Sequence, residues 1–295
     1  QYHCSPTDHS LQHEVVTSLA VSPDDKLLIG SLCGVDILDD KTGDIEHWNS
    51  TSTIGPLSSN FVNSLYSKDG QIWVGTETGG ITKLAPRLLQ LEFYQNDPRN
   101  PGSIARNAVN AMFPAPDGTL WVGVVEGGLN ALSPHSKNFV HYTTANSGLP
   151  HNSVSTLAAD GHGNLWIGTW GGGVAVMPLG EPGKMQRLLV GDRYQELLSF
   201  VGAFAYDAIN DGMWIGTNDG LFFYDIKKRQ LEEPFPHCLD IRGCIGSLVT
   251  RDGKLLMGCI QGMVEVDLRS RRGARRNFAV TYHSYKLDNP KSGVF

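Results

Sequence analysis

A short phrase, apolar–Trp–apolar–Gly–Thr, recurs along this chain, and its period constrains the fold more than any other feature. Copies with the tryptophan stand at Ile72–Thr76, Leu120–Val124 (valine in the threonine position), Leu165–Thr169 and Met213–Thr217. Weaker copies at Leu28–Ser31 and Leu256–Cys259 have leucine at the tryptophan position. The anchor glycines, Gly30, Gly75, Gly123, Gly168, Gly216 and Gly258, are spaced by 45, 48, 45, 48 and 42 residues. The surroundings repeat as well. A turn such as Asp69-Gly70 or Asp117-Gly118 precedes each phrase, and a glycine turn such as Gly79-Gly80 or Gly127-Gly128 follows most of them. Aspartate–glycine between apolar runs is a hairpin signal, because glycine takes positive φ without steric cost. Before each turn lies a short apolar segment, as in Val62–Tyr66, Val109–Phe113 and Val154–Ala158.

Each unit therefore reads as four short antiparallel strands with no helical period. The spacing predicts an all-β fold, a β-propeller of four-stranded antiparallel blades with six readable repeats over residues 1–268. Trp73, Trp121, Trp166 and Trp214 fall where neighbouring blades would pack, so they are expected in the core rather than at a ligand. Residues 269–295 break the repeat: Arg269, Arg271, Arg272, Arg275 and Arg276 are followed by the alternating segment Asn277–Tyr285. This stretch reads as a linker and the last outer strand, or as the start of a further β domain.

The phrase Asp-Gly-x-Leu-Trp-Ile-Gly-Thr-x-x-Gly-Gly resembles the two-component regulator propeller repeat. Asp117–Gly128 matches it, as do Asp69–Gly80, Gly163–Gly173 and Asp211–Gly220 with small departures. The lead-ins Leu57–Val62 and Leu149–Val154 resemble the family's Leu-x-x-Asn-x-Val box. The resemblance implies a periplasmic sensor region of a hybrid two-component receptor, with seven blades as the norm. Such receptors carry an immunoglobulin-like β domain, a membrane helix and a histidine kinase after the propellers. Phe278–Pro290 resembles the opening of that immunoglobulin-like domain. The implied ligand is an oligosaccharide, and the implied assembly is a homodimer through the full receptor. Membrane contact would come only through segments outside this sequence. No cofactor or metal is implied.

Composition narrows the classes. The formal net charge is −6, and the basic excess is confined to the last 55 residues, so a nucleic-acid-binding face is not expected. No apolar run reaches the ~18 residues of a membrane helix. The opening Gln1-Tyr2-His3-Cys4 is neither basic nor apolar, so it reads as no signal peptide. Of the five cysteines, Cys33 and Cys259 fall at strand positions that suit a small buried hydrophobe. Cys238 and Cys244 could bridge in an oxidising compartment, Cys4 is the fifth, and no C-x-x-C is present. Nucleophile-elbow, zinc-protease and P-loop motifs are absent from the sequence. No catalytic set emerges, and the chain reads as non-enzymatic. Two alternatives remain open: a lyase resembling the streptogramin-inactivating propellers, and a protein-interaction scaffold.

A ligand face would be made by loops joining second to third strands together with loops joining successive blades. Its candidate residues are Glu77, Arg99, Arg106, Glu126, His151, Trp170, Asn218, Asp219 and Gln261. Trp170 stands just after an anchor phrase, where blade packing does not require an aromatic residue. A flat ring beside hydrogen-bonding side chains suits a pyranose; a surface tryptophan or a contact with another domain is the other reading.

Overall fold

The computed structural model describes residues 10–53, 56–85, 90–235, 242–244, 246–249, 253–259, 262–269 and 279–283. The chain forms two compact units, Gln1–Ala159 with Gly163–Leu188 and Asp160–His162 with Leu189–Phe295. Among the described residues, no helix is long and apolar enough to cross a membrane.

The first unit holds four sheets of the blade type, each an antiparallel meander in chain order. They are β1 (Val16–Val21), β2 (Leu27–Ser31), β3 (Gly34–Leu38) and β4 (Ile45–Trp48); then β5 (Val62–Lys68), β6 (Gln71–Thr76), β7 (Ile81–Ala85) and β8 (Gln90–Tyr94). The third sheet is β9 (Val109–Pro114), β10 (Leu120–Val124), β11 (Gly128–Leu132) and β12 (Phe139–Tyr142). The fourth is β13 (Val154–Ala159), β14 (Asn164–Thr169), β15 (Val174–Pro178) and β16 (Gln186–Arg187).

The second unit has two sheets of the same order. One is β17 (Val201–Asp207), β18 (Gly212–Thr217), β19 (Leu221–Asp225) and β20 (Gln230–Glu232). The other is β21 (Gly246–Val249), β22 (Lys254–Cys259), β23 (Gly262–Asp267) and β24 (Ala279–His283). A short helix, Asp192–Leu197, precedes β17. β24 pairs with β23 from Met263↔His283 to Asp267↔Ala279, so this part of the tail is the fourth strand of the sixth sheet. Residues 270–278 and 284–295, with Cys4, Cys238 and Gln261, lie outside the described residues.

The hairpins follow the expected chemistry. Asp69 and Gly70 take φ of 51° and 76° between the paired residues Lys68 and Gln71. Two successive positive φ values make a type I′ turn, whose twist matches the strands it joins.

The anchor glycines are explained by close approach. In the first unit the leading strands β1, β5, β9 and β13 are successive neighbours. Each leading strand opens with a valine, and from the second sheet on that valine docks on the previous sheet's anchor glycine. A Cβ on Gly30 would lie 2.8 Å from Val62 Cγ1, on Gly75 2.6 Å from Val109 Cγ1, and on Gly123 2.6 Å from Val154 Cγ1. All three valines are fully buried. From the third sheet on, the tryptophans add to the packing, whereas Leu28, Leu65 and Ile72 serve between the first two sheets. Trp121 packs with Leu165, Ile167 and Met177 of the next sheet, and Trp214 with Leu255, Met257 and Val266. Trp166 is buried too, while Trp73 is half-buried and stacks on Tyr94 with ring centroids 5.9 Å apart.

One surface cluster in the second unit gives a pH prediction. His162 Nε2 lies 2.6 Å from Asp211 Oδ1, which also accepts a hydrogen bond from the Tyr206 hydroxyl at 3.1 Å. The bond to Asp211, then its charge, raise the His162 pKa above the ordinary imidazole value. A group whose pKa is raised on folding stabilises fully below its unfolded value, about 6.5, and loses that contribution as pH rises through the folded value. Urea midpoints measured from pH 5.5 to 8.5 should therefore fall more for the parent chain than for His162→Gln. Parallel curves would show that the pair contributes nothing.

Candidate functional site

The site begins with an irregularity that every leading strand of the first unit shares. β5 pairs Val62 with Thr76 and then Ser64 with Gly75, so Asn63 is an extra residue without a partner on β6. β9 does the same at Asn110, between the pairs Val109↔Val124 and Ala111↔Gly123. The equivalents are Thr17 in β1 and Ser155 in β13. Such a bulge disrupts the ladder locally and re-aims the extra side chain. Thr17 turns its hydroxyl to the Val62 carbonyl at 2.6 Å, tying the first sheet to the second. Asn63 and Asn110 instead face a cavity.

A second tier lies one residue beyond the anchor phrases. Glu77 N–H donates to the Phe61 carbonyl at 2.9 Å, Val125 N–H to Ala108 at 3.0 Å, and Trp170 N–H to Ser153 at 2.9 Å. Each bond extends its sheet by one pair and fixes where the next side chain stands. Glu77, Val125 and Trp170 are thus equivalent positions on successive sheets.

Both tiers line one cavity of about 740 Å³, with Phe61, Thr78, Arg106, Asn107 and Ala108. The volume is in the range of small-molecule sites. A smaller recess of about 360 Å³ shares Thr78, Arg106 and Asn107 and is lined further by Gln95, Asn96 and Pro98. Asn63 Nδ2 donates to Glu77 Oε2 at 2.9 Å and approaches Asn110 Oδ1 at 3.5 Å. Asn110 Nδ2 is buried and has no partner among the described residues. Leaving such a donor unpaired costs about 1–3 kcal/mol, so it is a position where a ligand oxygen would be stabilised. At the rim, Asn107 holds a φ of 97°, a left-handed conformation that asparagine tolerates better than most residues. Its Nδ2 donates to the Val125 carbonyl at 3.2 Å. Arg106 is exposed and forms no ion pair among the described residues. Trp170 is 42% exposed.

Of the residues proposed from sequence, Glu77, Arg106 and Trp170 come together here. Glu126 is turned away: its Oε1 accepts the Ser153 hydroxyl at 2.6 Å, and its backbone has a φ of 52°. Arg99 is solvated beside Asp97 at 3.4 Å and lines neither recess. His151 Nδ1 accepts the Ser153 N–H at 3.0 Å, and its ring lies against Gly171. Asn218 and Asp219 are exposed on the second unit, and Gln261 lies outside the described residues. Asn63 and Asn110 were not foreseen. The available signal was the repeated Val-Asn opening of two adjacent leading strands, Val62-Asn63 and Val109-Asn110.

The comparisons with known proteins agree with this architecture. The family described as two component regulator propeller matches residues 56–78 and 148–171. Both segments include a lead-in, a bulge and an anchor phrase. Two solved extracellular domains assigned to hybrid two-component systems of B. thetaiotaomicron superpose with TM-scores of 0.75 and 0.71 at 20% and 18% identity. They cover 92% and 96% of this chain, which spans only 35% and 37% of their lengths. A streptogramin B lyase superposes with a TM-score of 0.66 at 11% identity, covering 93% of this chain and 84% of its own. At these identities the likenesses show the fold. No curated protein matches significantly. Two segments of this chain thus match the two-component regulator propeller repeat, and both lie within a four-stranded blade that recurs along the chain.

Proposed function

We propose that this chain is the ligand-sensing propeller module of an extracytoplasmic hybrid two-component receptor, and that its cavity takes an oligosaccharide. The reading rests on one observation above others: a buried Asn110 Nδ2 without a partner among the described residues, in a cavity that also presents Trp170. Sugars offer an apolar ring face and a rim of hydroxyls. The indole suits the first, and the amides of Asn63 and Asn110 suit the second. The shared wall of the two recesses supports an extended ligand rather than a single ring. Recognition fits these side chains better than turnover does, because proton transfer would need a titrating partner for Glu77 and neither asparagine titrates. The relay to a kinase, the receptor dimer and the membrane anchor would belong to segments beyond this sequence.

Calorimetry against a panel of plant and host oligosaccharides tests the reading. For the sugar that binds, Trp170→Ala should weaken affinity about tenfold to a hundredfold, the loss of one aromatic anchor. Asn110→Leu, which keeps the volume and removes the amide, should weaken it comparably. Unchanged affinity in both variants would remove the cavity from the site. Silence across the panel, with cleavage of a streptogramin, would favour the lyase reading instead.

A further inference from the structure

The sixth sheet departs from the others at one facing pair. In the first five sheets the leading strand opens with valine, opposite the residue after the anchor glycine: Val16↔Ser31, Val62↔Thr76, Val109↔Val124, Val154↔Thr169 and Val201↔Thr217. In the sixth, Gly246 pairs with the anchor Gly258. Two residues before Gly246 is Cys244, and one after Gly258 is Cys259. The cysteines thus occupy the valine and threonine positions. Packing agrees, since a Cβ on the preceding anchor, Gly216, would lie 2.5 Å from Cys244 Cβ, as such a Cβ on Gly75 or Gly123 would meet a valine. Cys244 is held there by its N–H, which donates to the Thr217 carbonyl at 3.2 Å. The two sulfurs are 3.2 Å apart.

We propose that Cys244 and Cys259 are a built dithiol site that closes to an intrachain disulfide on meeting a disulfide-bearing oxidant. Cys244 is buried, whereas Cys259 is partly exposed and can be reached. The contact with Cys259 and then burial push the Cys244 thiol up, while Cys259 is lowered by the same shared hydrogen bond. Cys259, the member of the pair that an external disulfide can reach, is the attacking thiolate. Its sulfur attacks the oxidant's disulfide, forming a mixed disulfide and releasing one thiol. Cys244 then loses its proton and attacks Cys259 Sγ, releasing the second thiol. Two protein thiols are oxidised and one external disulfide is reduced to two thiols. The Cys238–Cys244 bridge considered from sequence is the competing pairing.

The test uses the whole purified chain incubated with oxidised glutathione, alkylated, digested and mapped by mass spectrometry. The expected product is one peptide pair joining Cys244 to Cys259, two hydrogens lighter than the reduced pair. Three of the five thiols should then be left to alkylate. A Cys238–Cys244 peptide, or five alkylated thiols, would overturn the assignment. A Cys244→Val, Cys259→Thr variant restores the pair of the other sheets and should fold. Reductant should lower the melting midpoint of the oxidised parent by about 5–10 °C and leave this variant unmoved. Equal response of both would also overturn it. Neither readout depends on the ligand of the cavity.

Discussion

Trp214→Ala is expected to cost about 3–5 kcal/mol of stability, while Trp170→Ala shifts it by no more than about 0.5 kcal/mol. Trp214 stands near the start of one copy of the repeated phrase and Trp170 one residue past the end of another, and their surroundings differ completely. Trp214 is fully buried. Its ring centroid lies 5.0 Å from that of Phe223 in an edge arrangement and 6.3 Å from that of Phe235 in a stacked one. Its Nε1 donates to Asp207 Oδ2 at 3.2 Å, a carboxylate also held by Asn210. Truncation would open a cavity on the packing between the two sheets of the second unit and leave Asp207 short of a donor. Trp170 is anchored by its backbone N–H, and its ring is 42% exposed, so little is left unpaired when it is shortened. Urea unfolding of both variants checks the contrast. A loss of several kcal/mol at Trp170 would mean that its ring is structural, and it would weaken the binding argument as well.

Gly123→Ala should destabilise by about 1–3 kcal/mol through overpacking alone. The new methyl would sit 2.6 Å from Val154 Cγ1, 3.2 Å from its Cβ and 3.4 Å from its carbonyl oxygen. Val154 has no room to give, because it is fully buried among Leu165, Ile167 and Met177. The same chain with Val154→Ala loses the offending methyls, so the double variant should be more stable than the summed single losses allow. Neighbouring residues commonly couple by about 0.5–3 kcal/mol. Denaturant midpoints for the four-member cycle provide the measurement. Strict additivity would show that the glycine is there for another reason than the valine of the next sheet.

These two predictions mark how far the chain could be read before its structure. The 42–48 residue period made the blades legible, because each blade repeats a local pattern of turn and strand. Asp69-Gly70 is a hairpin wherever it stands between two such strands, and Trp121 must be buried whichever neighbour covers it. The second-to-third-strand loops bearing Glu77 and Trp170 were legible for the same reason, since strand order in a meander decides which turns share an end. The tail was less so. Its alternating pattern suits any half-exposed strand, and pairing with β23 depends on contacts across a segment of irregular sequence.

The interior of the site was decided elsewhere. A bulge adds one residue to a strand without changing its composition, and it reverses which face the following residues take. The repeated Val-Asn opening marks Asn63 and Asn110 as equivalent, but only the ladder between β5 and β6, and between β9 and β10, leaves them without a facing residue. Cys244 and Cys259 are likewise 15 positions apart and unremarkable as text. Turn chemistry and hydrophobic periodicity act over a few residues, so repeat, strand and hairpin are written along the chain. Facing pairs, bulge direction and the valine-to-glycine fit act between strands and between sheets, so they exist only once those sheets are packed.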